Sequence, residues 1–260
     1  MQSKSSCLPV FFLYKYIQND ATFFSFNEFD ILDACSAPGN KTLQLAEYFP
    51  NCKIHAFEIN KQRFDLLSKN TKQYNYNNNI KLYNLDFLEI NYNTKPFKDI
   101  QVVLVDPSCS GSGTKNNMLL DANSKDYSNI CSNEIAGGDI EQGTLKIRLR
   151  NLCRFQIKIL NKAIRFPKAK LVCYSTCSIY MTENEYVVYK ILKDNLNVEL
   201  VDLHQEKYYT NSIDFDLNKI QKFHLGLTKE TKNALRICSN CHKCDGFFVA
   251  LFRIKAKIKV

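Results

Sequence analysis

Two cysteines occupy loops that are rich in serine and glycine and that follow predicted strands. Cys109 lies within DPSCSGSG at 106–113, and Cys177 lies within YSTCS at 174–178. Polar side chains and backbone amides in such loops favour thiolate character, which a cysteine needs to act as a nucleophile. Neither loop contains a histidine or a second cysteine, which disfavours metal binding by the pair. By contrast, a free cysteine in an apolar run packs as a small hydrophobic side chain. That interpretation applies to Cys7, Cys52, Cys153 and Cys173.

Acidic side chains stand at the ends of four predicted strands, the edge at which parallel sheets bind their ligands. They are Asp33, Glu58, Asp86 and Asp106. The first lies in ILDACSAPGNKT at 31–42, where a strand enters a Pro-Gly turn and a helix follows at once. Small residues there let the backbone approach a ligand, and the free amides of the helix start attract an anionic group. The glycines of a dinucleotide fingerprint or a P-loop are absent, whereas an acid at position 58 can hold ribose hydroxyls.

The segments that position these groups alternate between strand and helix patterns. Short apolar, β-branched runs predict strands at 30–35, 53–58, 80–87, 100–106, 170–174, 198–203 and 247–254. Helical spacing predicts helices at 42–49, 61–74, 146–166 and 183–196. This alternation indicates an α/β fold with a parallel sheet that helices cover on both faces. The last strand is expected at the sheet edge or inserted antiparallel.

Composition restricts the class of protein further. The chain has 260 residues, 45% hydrophobic and 23% charged, which fits one globular domain and excludes disordered and fibrous proteins. Its apolar runs are far too short to span a bilayer, so no membrane partner is expected. The 35 Lys and Arg exceed the 26 Asp and Glu, and the net charge of +9 favours a polyanionic partner. The candidate phosphate contacts are Lys115, Lys125, Lys146, Arg148, Arg150 and Arg154. Because the count of eleven cysteines is odd and a chain of this size needs no disulfides, we expect a reducing compartment.

Three other parts of the chain carry weaker signals. Residues 1–29 contain too few periodic positions for an independent domain, so we expect the main domain to span 30–260. Residues 114–143 form a polar insertion that is either functional or disordered. The run Cys238, Cys241, His242 and Cys244 has zinc-like spacing, but tetrahedral sites usually draw their ligands from two separated pairs. Because no second pair occurs, we predict no metal site.

In this order, the segments DACSAPGNKT, DPSCSGSG and YSTCS strongly resemble the NOP/Sun family of RNA cytosine-5 methyltransferases. The Pro-Ser-Cys of the second segment is similar to the branch that acts on large-subunit ribosomal RNA. A Gln-x-x-x-Leu helix at 154–160, Glu-Asn-Glu at 183–185 and DGFFVA at 245–250 extend the resemblance over about residues 16–254. The resemblance implies a class I S-adenosylmethionine-dependent methyltransferase, with a Rossmann-like, seven-stranded and mostly parallel sheet.

The resemblance also implies roles for individual residues. Cys177 would be the nucleophile that adds to carbon 6 of cytosine, Cys109 would help to release the product, and Asp106 would lie between cofactor and target base. The methionine part of S-adenosylmethionine would be surrounded by Cys35, Ser36, Ala37, Pro38, Gly39, Asn40 and Lys41. The rest of the cofactor would contact Glu58 at the ribose, Arg63 near the adenosine and Asp86 at the adenine.

The expected partners follow from the same resemblance. They are RNA, above all ribosomal RNA, and pre-ribosomal proteins in the nucleus and nucleolus, and residues 1–29 would be the remnant of an RNA-binding region. Asn40 and Glu58 depart from the family, in which glycine and aspartate are commoner, but neither change removes a reactive group. Methylation of transfer or messenger RNA on the same fold is an alternative, and so is a non-catalytic RNA-binding assembly factor. The presence of both cysteines and all four acids favours catalysis.

Overall fold

The computed structural model describes residues 2–20, 29–74, 79–114, 144–208, 229–237 and 244–255. In these ranges the helices are α1 Leu8–Asn19, α2 Asn40–Tyr48, α3 Lys61–Gln73, α4 Thr144–Ile164 and α5 Glu185–Asp194. The strands are β1 Asp30–Asp33, β2 Lys53–Phe57, β3 Ile80–Tyr83, β4 Ile100–Val105, β5 Leu171–Thr176, β6 Val198–Leu200, β7 Leu235–Ile237 and β8 Phe247–Ile254. Short 3-10 turns lie at Ser5–Cys7, Phe97–Asp99, Met181–Glu183 and Glu206–Tyr208.

One sheet contains all eight described strands, in the order β3-β2-β1-β4-β5-β8-β6, with β7 paired to β8 outside this path. The pairings among β1 to β5 are parallel, and β8 runs antiparallel to each of its three neighbours. All seven predicted strands are therefore present, and the α/β class is confirmed. The last predicted strand is inserted between β5 and β6. The eighth strand, β7, was not predicted because the charged Arg236 interrupts its apolar run.

The two faces of the sheet carry separate apolar cores, because successive side chains of a strand point in opposite directions. Ile31 of β1 packs in a cluster with α1 and α2, whereas the next residue, Leu32, packs in a cluster with α4 and α5. Helix α1 was missed in the sequence because its buried residues are nearly contiguous and show no clear helical period. It shares its core with the sheet, and the division at residue 29 stays a prediction.

Some element ends differ from the predicted ones, for local reasons. Strand β3 ends at Tyr83, so Asp86 lies in the following loop rather than in the strand. There the Asn84 side chain donates to the carbonyl oxygens of Glu58 and Ile59, at 2.8 and 3.1 Å, which draws the backbone away from the sheet. Helix α5 begins only at Glu185, because a 3-10 turn occupies the residues before it.

Of the predicted insertion at 114–143, only residue 114 lies within the described residues. None of the helices in the described ranges is both long and apolar enough to cross a membrane.

Candidate active site

A cavity of about 350 Å³ opens at the carboxyl edge of the sheet, beyond β1, β2, β4 and β5. The strands are parallel there, so residues from distant parts of the chain converge on one edge. The predicted site residues that line the cavity are Cys35, Ala37, Glu58, Arg63, Asp86, Asp106, Cys109 and Cys177. Apolar walls come from Phe57 and Phe87 and, on α4, from Phe155 and Ile159. The structure therefore brings three of the four strand-end acids and both candidate reactive thiols together around one space.

The other residues of the predicted cofactor loop shape the turn behind this cavity. The hydroxyl of Ser36 donates to the carbonyl oxygen of Asp33 at 2.9 Å, and the Gly39 amide donates to the carbonyl oxygen of Ser36 at 2.8 Å. Gly39 has φ 108°, which L side chains rarely adopt, and α2 begins immediately after it at Asn40. Ser36, Pro38, Gly39, Asn40 and Lys41 are not among the residues that line the cavity.

Asp33 lies at the base of this turn and is almost fully buried. Its Oδ2 accepts a hydrogen bond from the Thr42 hydroxyl at 2.7 Å, whereas its Oδ1 has no partner among the described residues. Burial raises the pKa of the Asp33 carboxyl to about 6, although the Thr42 hydrogen bond opposes this shift. Asp33 is thus a structural acid whose charge the fold disfavours.

Glu58 and Arg63 form the next part of the cavity wall. The buried carboxylate of Glu58 accepts from the Asn60 amide at 2.8 Å, and its Oε2 lies 3.4 Å from the Arg63 guanidinium. Arg63 also donates to the carbonyl oxygen of Ala37 at 2.8 Å, so it ties α3 to the cofactor loop. Asp86 accepts from the Leu88 amide at 2.8 Å. Each carboxylate keeps free lone pairs for a ligand that offers hydroxyl or amine donors.

Lys41 was predicted to wrap the cofactor, but its ammonium lies 2.7 Å from Asp106 Oδ2. It also donates to the Ser6 hydroxyl at 2.9 Å. The Ser175 hydroxyl, which the sequence did not single out, donates to Asp106 Oδ1 at 2.7 Å. Burial alone would lower the pKa of Lys41, but the Asp106 carboxylate outweighs burial, and the pKa is raised. Asp106 is therefore held from both sides at the cavity.

The two candidate thiols are in direct contact. Cys109 Sγ and Cys177 Sγ lie 3.3 Å apart, although 68 positions separate the residues in the chain. Two neighbouring thiols cannot both carry a negative charge, so their titrations oppose each other. The pKa of Cys177 is lowered, chiefly by the hydrogen bond from Cys109. The same hydrogen bond and burial raise the pKa of Cys109. Either sulfur could be the donor by distance alone, and the direction of these pKa shifts favours the thiolate on Cys177 with Cys109 as the donor.

Two of the residues at 183–185, which the sequence noted only through the family resemblance, hold the thiol loops in place, and the third binds an arginine. Glu183 accepts from the Ser110 amide and from the Ser178 hydroxyl, at 3.0 and 2.6 Å. Asn184 donates to the carbonyl oxygen of Ser178 at 2.9 Å. The two oxygens of Glu185 accept from Nε and Nη2 of Arg236, at 2.7 and 2.6 Å. Sequence spacing could not assign these roles, because each partner lies on a different element.

Other predicted residues lie away from the cavity or outside the described part. Arg148, Arg150 and Arg154 are exposed on α4, and Lys146 is half-buried near its start. Lys115 and Lys125 lie outside the described residues, as do Cys238, Cys241 and His242. Cys244 is buried. In the ranges that the structure covers, no three histidine, cysteine or acidic side chains form a group that could hold a metal ion.

The sheet order and the acid-lined cavity at its carboxyl edge define the class I, Rossmann-like fold of S-adenosylmethionine-dependent methyltransferases. A methyltransferase homolog protein from Pyrococcus horikoshii has a TM-score of 0.64 and 23% identity, and the match covers 98% of this chain and 67% of that chain. NSun6 from Pyrococcus horikoshii has a TM-score of 0.63 and 19% identity, with 98% and 53% covered. These likenesses confirm the predicted fold class.

The chain belongs to the family described as 16S rRNA methyltransferase RsmB/F, whose model matches residues 24–130 and 141–253. It is 36% identical over 192 residues to the 25S rRNA (cytosine-C(5))-methyltransferase rcm1 of Schizosaccharomyces pombe, which covers 74% of this chain and 37% of that protein. It is 41% identical over 167 residues to the 25S rRNA (cytosine-C(5))-methyltransferase NSUN5 of Arabidopsis thaliana, with 63% and 27% covered. The family and its large-subunit branch, predicted from the motifs, are confirmed. The chain spans well under half the length of these relatives.

Proposed function

We propose that this chain is the catalytic part of an enzyme that transfers a methyl group from S-adenosylmethionine to carbon 5 of a cytosine in large-subunit ribosomal RNA. The contact between Cys109 and Cys177 at 3.3 Å, beside Asp106 in one cavity, is the observation that carries this proposal. Carbon 5 of cytosine is a poor nucleophile, and thiolate addition to carbon 6 activates it. A chemistry of this kind explains why two thiols lie side by side.

The polar groups and the size of the cavity fit S-adenosylmethionine. Its volume of about 350 Å³ is within the range of small-molecule sites. The Glu58 carboxylate would hold the ribose hydroxyls, Arg63 would lie near the adenosine, and Asp86 would meet the adenine amino group. The turn at 35–41, which enters α2, would surround the methionine part. When bound, this cofactor supplies an electrophilic methyl group.

Cys177 performs the first step on the base. Its thiolate adds to carbon 6, which forms a carbon–sulfur bond and moves the electron pair of the carbon 5–carbon 6 double bond toward the ring nitrogen and carbon 5. Asp106 would hold the base edge and stabilise the protonated ring, and the Lys41 ammonium keeps this carboxylate in place. The base must leave its stack to reach this depth.

Cys109 completes the cycle. Once carbon 5 carries the methyl group, its proton must leave before the adduct can break down. The Cys177 thiolate that opposed ionisation of Cys109 is by then a thioether, so Cys109 would first lose its own proton to solvent. The Cys109 thiolate would then take the carbon 5 proton, the double bond would re-form, and the carbon–sulfur bond to Cys177 would break, which returns the Cys177 thiolate and the Cys109 thiol. The hydrogen-bond distance between the sulfur atoms supports a base beside the leaving group.

The RNA is proposed to contact the exposed arginines of α4, and this helix borders the cavity through Phe155 and Ile159. A ribosomal RNA substrate would make the nucleolus the place of action and pre-ribosomal proteins its neighbours. The names of the relatives, which specify 25S ribosomal RNA, support this substrate over transfer or messenger RNA.

Two cysteine variants test this function. Cys177→Ala should abolish both methyl transfer and any covalent RNA adduct. Cys109→Ala should still form the adduct and, without its release base, should accumulate a protein–RNA species that survives denaturing electrophoresis. Cys52→Ala is the matched control, since that thiol is buried in the core on one face of the sheet. Methyl transfer is followed with the full chain, and the position is mapped by bisulfite sequencing of ribosomal RNA.

The outcomes separate the alternatives. Methylation of transfer or messenger RNA alone would overturn the substrate but keep the chemistry. Wild-type chain that binds RNA without transferring a methyl group would favour an assembly factor. An adduct that is lost in Cys109→Ala and trapped in Cys177→Ala would exchange the two roles.

A further inference from the structure

Glu183 is a buried carboxylate that connects the two thiol loops. Its side chain is fully buried, and no ammonium or guanidinium group lies within ion-pair distance of it among the described residues. It accepts hydrogen bonds from the Ser110 amide, from Gln156 Nε2 at 2.9 Å and from the Ser178 hydroxyl. All three contacts are donors, which is the arrangement that a carboxylate needs when no cation is present. Burying an acid in this way is costly, so its position calls for a reason.

The contacts place Glu183 on both sides of the thiol pair. Ser110 follows Cys109 directly, and Ser178 follows Cys177 directly. The two serine hydroxyls also bond to each other at 3.1 Å, with Ser110 as donor. One carboxylate therefore fixes the chain next to each sulfur, and it sets the distance between two loops that come from different strands.

The groups around the two sulfur atoms act differently on them. The Lys41 ammonium acts on Cys177 and favours its thiolate. The Glu183 carboxylate acts on Cys109 and disfavours a second negative charge there, and Cys177 itself does the same. The Asp106 carboxylate opposes the thiolate on Cys177 more strongly than Lys41 favours it, so the lowered pKa of Cys177 depends on the hydrogen bond from Cys109, which is the largest effect. Cys153 and Tyr174 are the other titratable groups on which Glu183 acts, and both stay neutral.

We propose that Glu183 is the positioning residue of the two-thiol centre, which holds the two loops in register and confines the negative charge to Cys177. This inference rests on the proposed function, because the distinction between nucleophile and release base has meaning only there. Glu183 does not touch the substrate. It acts through Cys109, whose proton it keeps in place until the release step.

Alkylation of the two cysteines tests the assignment without RNA. The full chain is treated with iodoacetamide over a pH series, and the labelled peptides are quantified by mass spectrometry. In wild type, Cys177 should react at lower pH than Cys109. In Glu183→Gln, the ratio of Cys177 to Cys109 labelling should fall about tenfold, which corresponds to one pKa unit. Glu183→Asp, which keeps the charge, should restore most of the ratio.

The glutamine variant is expected to fold. Its remaining oxygen can accept from Ser110 and Gln156, which both reach Oε1 in the wild type, while the amide faces the Ser178 hydroxyl, which can turn to accept. Glu185→Gln is the matched control, since this neighbouring buried acid binds Arg236 and no thiol loop amide. It should leave the labelling ratio unchanged.

The results have distinct meanings. An unchanged ratio in Glu183→Gln, or an equal fall in Glu185→Gln, would overturn the positioning role. If Glu183→Gln fails to fold, the wild-type pH series decides, because identical profiles for Cys109 and Cys177 would also overturn it. Absence of methyl transfer by the wild type defeats the proposed function but not the charge asymmetry. Methyl transfer with an unchanged labelling ratio defeats this inference alone.

Discussion

Arg236 of β7 forms a buried ion pair that anchors the segment after Cys177. Its Nε and Nη2 bind the two oxygens of Glu185 at 2.7 and 2.6 Å, and its Nη1 donates to the carbonyl oxygen of Ile179 at 2.6 Å. The side chains of the pair are 9% and 1% exposed. We expect Arg236→Met to lower the stability of the whole domain, because Glu185 would then be buried without its counter-charge.

The size of this loss follows from the burial. Removing one partner of a buried pair costs about 3–5 kcal/mol. Glu185 is the first residue of α5, where the helix dipole favours a negative charge by up to about 1 kcal/mol, so we expect the lower end, about 3 kcal/mol. In a domain of this size 1 kcal/mol shifts Tm by about 2–4 °C, and Tm should fall by about 6–12 °C.

Thermal unfolding of three variants measures this effect. The matched control is Arg253→Met, since Arg253 pairs with Glu199 at 3.1 Å, both side chains are 35% exposed, and Glu199 keeps Lys255 as a second cation. That change should cost less than about 1 kcal/mol. The double variant Arg236→Met with Glu185→Leu should recover most of the stability, because it removes both charges. Equal Tm values for the Arg236 and Arg253 variants would refute the reasoning.

Three further predictions concern backbone contact, pH and RNA. Gly113→Ala should destabilise the fold by about 1–3 kcal/mol in urea unfolding, because its Cβ would lie 2.5 Å from the backbone oxygen of Gly246. The pKa of Asp33 is raised by burial to about 6, so the folded state holds this proton above the pH at which the unfolded chain loses it, and stability should fall as pH rises from about 4 to about 6. This loss of about 3 kcal/mol should be absent in Asp33→Asn. Free energies of unfolding from urea titrations that depend equally on pH in both proteins would contradict this prediction. RNA affinity should fall steeply with salt. Replacing Arg148, Arg150 and Arg154 of α4 by alanine should reduce the slope of log K against log salt concentration by about 2. The control replaces three lysines at the opposite edge of the sheet, Lys53, Lys98 and Lys168, and should leave that slope unchanged.

Local spacing along the chain is enough to specify the strands, the main helices and the edge at which the chemistry must lie. Short apolar runs predict strands that are buried on both faces of the sheet, and such a run is visible from neighbouring residues alone. Acids and cysteines directly after such runs must meet at the carboxyl edge once the strands are parallel. Glu58, Asp106, Cys109 and Cys177 could therefore be assigned to one region from the order of residues alone.

Which side chains touch one another depends instead on the tertiary fold. The fold pairs Lys41 with Asp106, and it adds α1, whose nearly continuous apolar surface hides its period. It brings Cys109 and Cys177 into contact across 68 positions and gives Glu183 a place between their loops. Loop-to-loop contacts follow from the register of strands and the packing of helices that come from distant segments, and residue spacing does not encode either one. The distinction between the two thiols therefore arises from a hydrogen bond and from charges that meet only in the folded protein.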